Sequence, residues 1–216
     1  MPPVSIRARF ERFPATLRGA FVIRGEDADP HQVSLLAGRV VRLPGGAVRD
    51  LPLGQVIMDA PPHQDAFVPF EASIADLDPG WYGFEVELDV DGTRQAYPGD
   101  RRFSVPWPRG TVRTGTIRIE REVGLGDAIA HVDRMQCTSD ATNVRLRVEP
   151  PQPIGVDLRA DGAPIPVISV VLDEATGEVT ATSYPLFRRH RRLQLELHAG
   201  RARGPTEHGQ LDIELP

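Results

Sequence analysis

The stretch Asp78-Pro79-Gly80-Trp81-Tyr82-Gly83-Phe84 constrains this chain more than any other, because it reads D-x-G-x-Y-x-(large apolar). That spacing is the signature of a tyrosine corner, the turn through which a β-sandwich passes into its penultimate strand. The phenol hydroxyl bonds back to the backbone a few residues upstream, and the residue two places later points into the core. Here that residue is Phe84. A chain with such a turn must bury its apolar residues between facing sheets, so the sequence predicts an all-β fold.

The rest of the chain agrees with this reading. Alternation with a period of two dominates, as half-buried strands require, and no segment carries a helical stripe. Val4 to Phe10, Leu17 to Ile23, Val33 to Val41, Gln55 to Met58 and Ala66 to Ile74 read as strands, each bounded by Pro, Gly or Asp. After the corner, Phe84, Val86, Leu88 and Val90 share one face, and Glu85, Glu87 and Asp89 share the other. Asp91-Gly92 and Gly45-Gly46 are hairpin turn signals, and Arg102 to Val105 returns as a strand. The 21 prolines and 20 glycines are spread evenly, which suits a protein of many turns. Aromatics make up only 6%, so the core is expected to be mainly aliphatic.

Pro106-Trp107-Pro108-Arg109-Gly110 reads as a boundary, since two prolines around a Trp do not continue a central strand. The expected organisation is a first β-sandwich domain over 1–106, a stiff linker over 107–115 and a second sandwich over 116–216. Trp107 is expected to pack between the domains. The strand rhythm recurs at Thr116 to Glu120, Ala128 to Met135, Val144 to Val148, Gly155 to Arg159, Pro166 to Leu172, Glu178 to Thr182, Leu193 to Leu197 and Leu211 to Leu215. A faint echo links Val86-Glu87-Leu88 with Leu195-Glu196-Leu197, each followed by a hairpin closing on proline. It breaks at the corner, where Arg191 stands in the place of Tyr82.

Through Asp78, Gly80, Tyr82 and Phe84, the first half resembles immunoglobulin-like and fibronectin-like sandwich domains. It lacks the cysteine pair of true immunoglobulin domains. The resemblance implies a fold, two tandem immunoglobulin-like β-sandwiches, and no particular activity.

Charge narrows the partners. The net charge is −5, and neither half is basic, which argues against nucleic acid as the main partner. All 25 basic residues are Arg, whose planar fork pairs with carboxylates in a way that Lys does not. The single Cys137 excludes an internal disulfide; the start shows no secretory apolar run, and no segment is long enough to span a membrane. These features read as a cytoplasmic protein.

Several residues qualify as sites. Arg188, Arg189, Arg191 and Arg192, joined by Arg201 and Arg203 on the following hairpin, form a candidate patch for an anion or an acidic partner. The bland reading is a solvated loop paired with neighbouring carboxylates. Asp89-Val90-Asp91-Gly92 opens like a calcium loop, but the later acidic ligands are missing, so a turn is expected. His31 near Asp29 and His63 near Asp65 lie in loops whose facing is not encoded, and the remaining histidines show no metal-ligand spacing. Cys137 has no sequence sign of an activating base. The Pro-rich runs 61–62 and 150–153 stiffen loops or offer extended docking segments. No cofactor motif and no catalytic constellation is present. The expected function is therefore a non-catalytic interaction or scaffold protein, an accessory subunit of a larger assembly, with protein partners and a homodimer through an edge strand as one form. The alternatives are an enzyme or small-molecule binder with its site in the interdomain cleft, and an anion or carbohydrate binder using the Arg-rich hairpin.

Overall fold

The computed structural model describes residues 3–53, 56–99, 101–199 and 207–216, with 47 and 48 described as backbone only. It is all-β, and the chain divides into two compact units, Met1–Val105 and Pro106–Pro216. The first unit contains β1 (Val4–Arg12), β2 (Thr16–Gly25), β3 (His31–Leu43), β4 (Ala47–Asp50), β5 (Val56–Ala60), β6 (Asp65–Ser73), β7 (Gly80–Val90), β8 (Thr93–Pro98) and β9 (Phe103–Val105). One sheet has the order β1-β2-β6; in the other, β3 pairs with β4, β5 and β7, and β7 pairs with β8 and β9. All pairs are antiparallel, and one core lies between the two sheets, an arrangement consistent with a β-sandwich.

The corner forms as its residues require. The Tyr82 hydroxyl donates to the Asp78 carbonyl at 2.6 Å, and Tyr82 is buried at the start of β7. Phe84 sits at the centre of an aromatic cluster, with its ring centroid 5.3 Å from those of Phe10 and Phe70 and 5.8 Å from those of Phe21 and Phe103. The low aromatic content is thus concentrated in this unit's core, where a mainly aliphatic interior was expected. Asp91-Gly92 and Asp161-Gly162 both have positive φ at the two turn residues, the type I′ geometry that matches strand twist. Pro69 lies in β6, which ends its sheet, the position where a missing N–H is tolerated.

The second unit contains β10 (Gly115–Leu125), β11 (Ala128–Cys137), β12 (Thr142–Glu149), β13 (Ile154–Ala160), β14 (Ala163–Ile165), β15 (Val167–Leu172), β16 (Glu178–Ser183), β17 (Arg192–Ala199) and β18 (Glu207–Glu214). Its sheets run β10-β11-β12-β16-β15 and β14-β13-β17-β18 around an aliphatic core centred on residues such as Leu146, Leu158 and Leu195. Register shifts interrupt the first of these sheets between Arg118 and Arg121, between Val132 and Arg134, and between Val167 and Ser169.

Three strands in these units are not apparent from the alternation. β8 is exposed except at Tyr97, so it carries no two-residue signal. β4 and β14 are four and three residues long and follow turns directly.

Candidate functional site

The Arg-rich run lies between the isolated bridge pairing Val112 with Phe187 and the start of β17. Its backbone is held by groups of the same unit. Arg113 reaches under the loop and donates to the carbonyls of His190 (2.8 Å), Arg188 (3.4 Å) and Pro216. Arg188 N–H donates to the Thr111 carbonyl at 2.9 Å, and its Nε–H to the Val112 carbonyl at 3.2 Å. The Asp161 carboxylate accepts the N–H groups of Arg191 and Arg192 at 3.0 and 2.9 Å. Those bonds, Arg192 first and Arg191 second, hold the Asp161 carboxyl below the usual carboxylate range. In this unit an aspartate thus fixes the approach to β17, where the first unit uses a tyrosine.

His190 sits inside this loop. The Phe187 N–H donates to its Nδ1 at 3.3 Å, which requires a lone pair there. Burial, helped by the like charges of Arg189 and Arg113, lowers its pKa and keeps the ring neutral, against the pull of Asp161. Arg189 stacks over the Phe187 ring, 5.1 Å from its centroid.

With its backbone so fixed, the loop turns cations outward. Arg188, Arg189, Arg191 and Arg192 are exposed, and among the described residues none of them forms an ion pair with a carboxylate side chain. Arg113, Arg188 and Arg191 line a cavity of about 420 Å³, and Arg109 and Arg188 line another of about 440 Å³. Neither lining includes an Asp or Glu. Cys137 lines both cavities; it is buried, and desolvation pushes its thiol pKa up, the opposite of what activates a cysteine nucleophile. Arg201 and Arg203 fall outside the described residues. Trp107, half-buried, packs edge-on against Tyr184 at 5.1 Å, and its N–H donates to the Ser139 carbonyl, both within the second unit.

The other candidates resolve differently. Asp89 Oδ1 accepts the Gly92 N–H, so that segment is a turn. His31 does not pair with Asp29; its Nδ1 meets Asp91 at 2.6 Å and its Nε2 meets Asp27 at 2.7 Å. Carboxylates only accept, so both ring nitrogens carry protons and His31 is an imidazolium. The two bonds, Asp91 first, raise its pKa, while Asp27 and Asp91 are lowered by the same contact. This clasp ties the β2–β3 loop to the β7–β8 turn. His63 is exposed in its turn, and Asp65 instead lies 3.8 Å from Arg24.

Two features escape a linear reading. A groove of about 600 Å³ crosses the outer face of the five-stranded sheet at the bulges of β10 and β11, lined by Glu120, Glu122, His131, Arg134, Arg145 and Arg147 among others. Glu120 has a φ of 49°, unusual for a residue with a side chain. On the outer face of the four-stranded sheet, Asp157, Glu196 and His198 converge, each with a ligand atom within 4.8 Å of the others. Glu196 and His198 are neighbours on β17, and only strand register brings Asp157 to them.

No protein-family model matches this chain, and no curated protein does. Among solved structures, it is similar at 8% identity to a conserved domain protein from Bacillus anthracis, with a TM-score of 0.36 over 100% of this chain and 88% of that one. A marsupial T cell receptor matches at 10% identity and a TM-score of 0.26, over 100% of this chain and 63% of that one. The C-terminal domain of the AgI/II polypeptide BspA from Streptococcus agalactiae matches at 11% identity and 0.21, over 96% and 98%.

Proposed function

We propose that this chain is a pair of tandem immunoglobulin-like sandwich domains acting as a non-catalytic interaction protein, whose Arg-rich end of the second domain receives acidic side chains of a protein partner. The strand orders support the fold: β11-β12-β16-β15 facing β14-β13-β17-β18 follows the ABED and CFG order of constant-type domains, with β14 added at the edge and β10 placed before the first strand. The observation that carries the function is a set of outward arginines on a backbone already fixed by Arg113 and Asp161, around cavities whose linings include no Asp or Glu. Among the described residues these guanidinium groups form no ion pair with an Asp or Glu side chain, and the Arg fork is suited to carboxylates. The test is fluorescence anisotropy of a labelled Glu-rich peptide titrated with the protein at low and high salt. Binding that weakens as salt rises supports the reading, since contacts between exposed charges are screened; salt-insensitive binding, or none, contradicts it.

A specific observation favours a homodimer as well. β15 (Val167-Ile168-Ser169-Val170-Val171-Leu172) ends the five-stranded sheet, has no charged residue, and exposes Val171 at 62%. Edge strands are usually protected by charge or proline, and this one pairs with a second copy without like-charge repulsion.

A further inference from the structure

We propose that Asp157, Glu196 and His198 form a binding site for a divalent first-row transition-metal ion, with His208 as its positioning residue. The site follows from alternation. Val156, Leu158 and Ala160 on β13 and Leu195, Leu197 and Ala199 on β17 are buried, which leaves Asp157, Glu196 and His198 on the opposite face. Glu196 and His198 are two residues apart on one strand, and Asp157 is directly opposite Glu196 on the next. The residue opposite His198 is Gly155. A Cβ at Gly155 would lie 3.5 Å from His198 Cβ and 3.7 Å from its Cδ2, so the ring lies over the space the glycine leaves. From there its Nε2 reaches Asp157 Oδ2 at 2.8 Å.

The ligand atoms all lie within 4.8 Å of one another. A tetrahedral ion with bonds of about 2.1 Å holds its ligands about 3.4 Å apart, so the set needs only side-chain adjustment to close on an ion. The histidine is already oriented for this. Its other nitrogen, Nδ1, is 2.7 Å from Nδ1 of His208, the residue opposite it on β18. When Nε2 binds a metal, Nδ1 carries the proton and donates it to the His208 lone pair, the outer contact that fixes tautomer and ring angle in metal-bound histidines. His208 is itself set by its neighbour: a side chain at Gly209 would run into Val123 and Gly124 of β10, so only glycine lets the two strands approach there. Arg159 pairs with Glu196 Oε1 at 3.4 Å, leaving the other oxygen for the ion and offsetting part of the site's negative charge. One imidazole and two carboxylates suit zinc, cobalt or nickel better than calcium, which takes only oxygen.

The test is isothermal titration of the chelator-treated full chain with Zn²⁺, repeated with Co²⁺ by visible absorption. The expected result is one ion per chain, with affinity reduced at least tenfold in His198→Gln and in Asp157→Asn, and 10–100-fold in His208→Phe. Asp157 is 66% exposed, so its variant keeps the fold and the far-ultraviolet circular dichroism spectrum of the parent. His63→Gln, at an exposed turn of the first unit, is expected to bind as the parent does. No uptake by the parent, or uptake unchanged in both His198→Gln and Asp157→Asn, overturns the proposal.

Discussion

Replacing Tyr82 with Phe removes one oxygen and nothing else, which makes it the cleanest probe of the corner. The hydroxyl donates to the Asp78 carbonyl at 2.6 Å from a residue only 1% exposed. The ring, stacked 5.4 Å from Phe103, stays buried in the variant. The loss is therefore that of one hydrogen bond, about 1 kcal/mol net. Asp78 is exposed, so water can reach its orphaned carbonyl and the larger penalty of a buried unsatisfied group does not apply. For a unit of this size the change lowers Tm by roughly 4–8 °C. Tyr82→Ala, which also empties the ring's volume, is expected to cost about 3–5 kcal/mol. The assay is urea unfolding followed by tryptophan fluorescence in a Trp107→Phe background, where Trp81 beside the corner is the one remaining reporter. Tyr97→Phe is the control. Its hydroxyl donates to exposed Gln95 at 2.9 Å, and its loss should stay within about 0.5 kcal/mol. If the two Phe variants unfold at the same urea concentration, the corner does not contribute as argued.

The other predictions concern the clasp and the edge. His31 has a raised pKa in the folded chain, so its contribution is fully present below the unfolded value of about 6.5 and is lost as pH rises through the folded value. Asp27 and Asp91 are lowered, so their share is present above about 3.9 and is lost as pH falls through their folded values. Urea midpoints of the parent and His31→Gln should therefore differ most between those ranges and converge at high pH; a constant difference would rule out the imidazolium. For the edge, Val171→Lys should convert a dimer seen by light scattering into a monomer. A parent that is monomeric at high concentration contradicts the edge reading.

Much of this architecture was legible because burial forces alternation. Phe84, Val86, Leu88 and Val90 announced β7, and Tyr82 announced how the chain turns into it. Even one bulge left a trace: buried residues in β11 fall on even positions through Val132 and on odd positions from Met135, a parity switch at Asp133-Arg134. Edge strands were harder, since β8 buries almost nothing and so has no pattern to read. The site followed the same divide. The Arg run was visible as local charge, whereas its support by Arg113 and Asp161 depends on contacts 77 and 31 residues away. The partners of His31, Asp27 and Asp91, were not legible, because a loop does not encode facing. Asp157, Glu196 and His198 were invisible as a set, since register across β13 and β17 alone brings them together.

The function proposed for this chain is the docking of a partner's acidic side chains on the outward arginines of the second unit. Its most direct test is the affinity of a Glu-rich peptide for the parent and for the double variant Arg188→Ala/Arg191→Ala at one low salt concentration. Each exposed charge pair contributes up to about 1 kcal/mol, and bidentate Arg contacts lie at the upper end of that range. The expected result is a loss of about 5–30-fold, with circular dichroism unchanged because neither side chain holds the core. Equal affinities in the two proteins would contradict it.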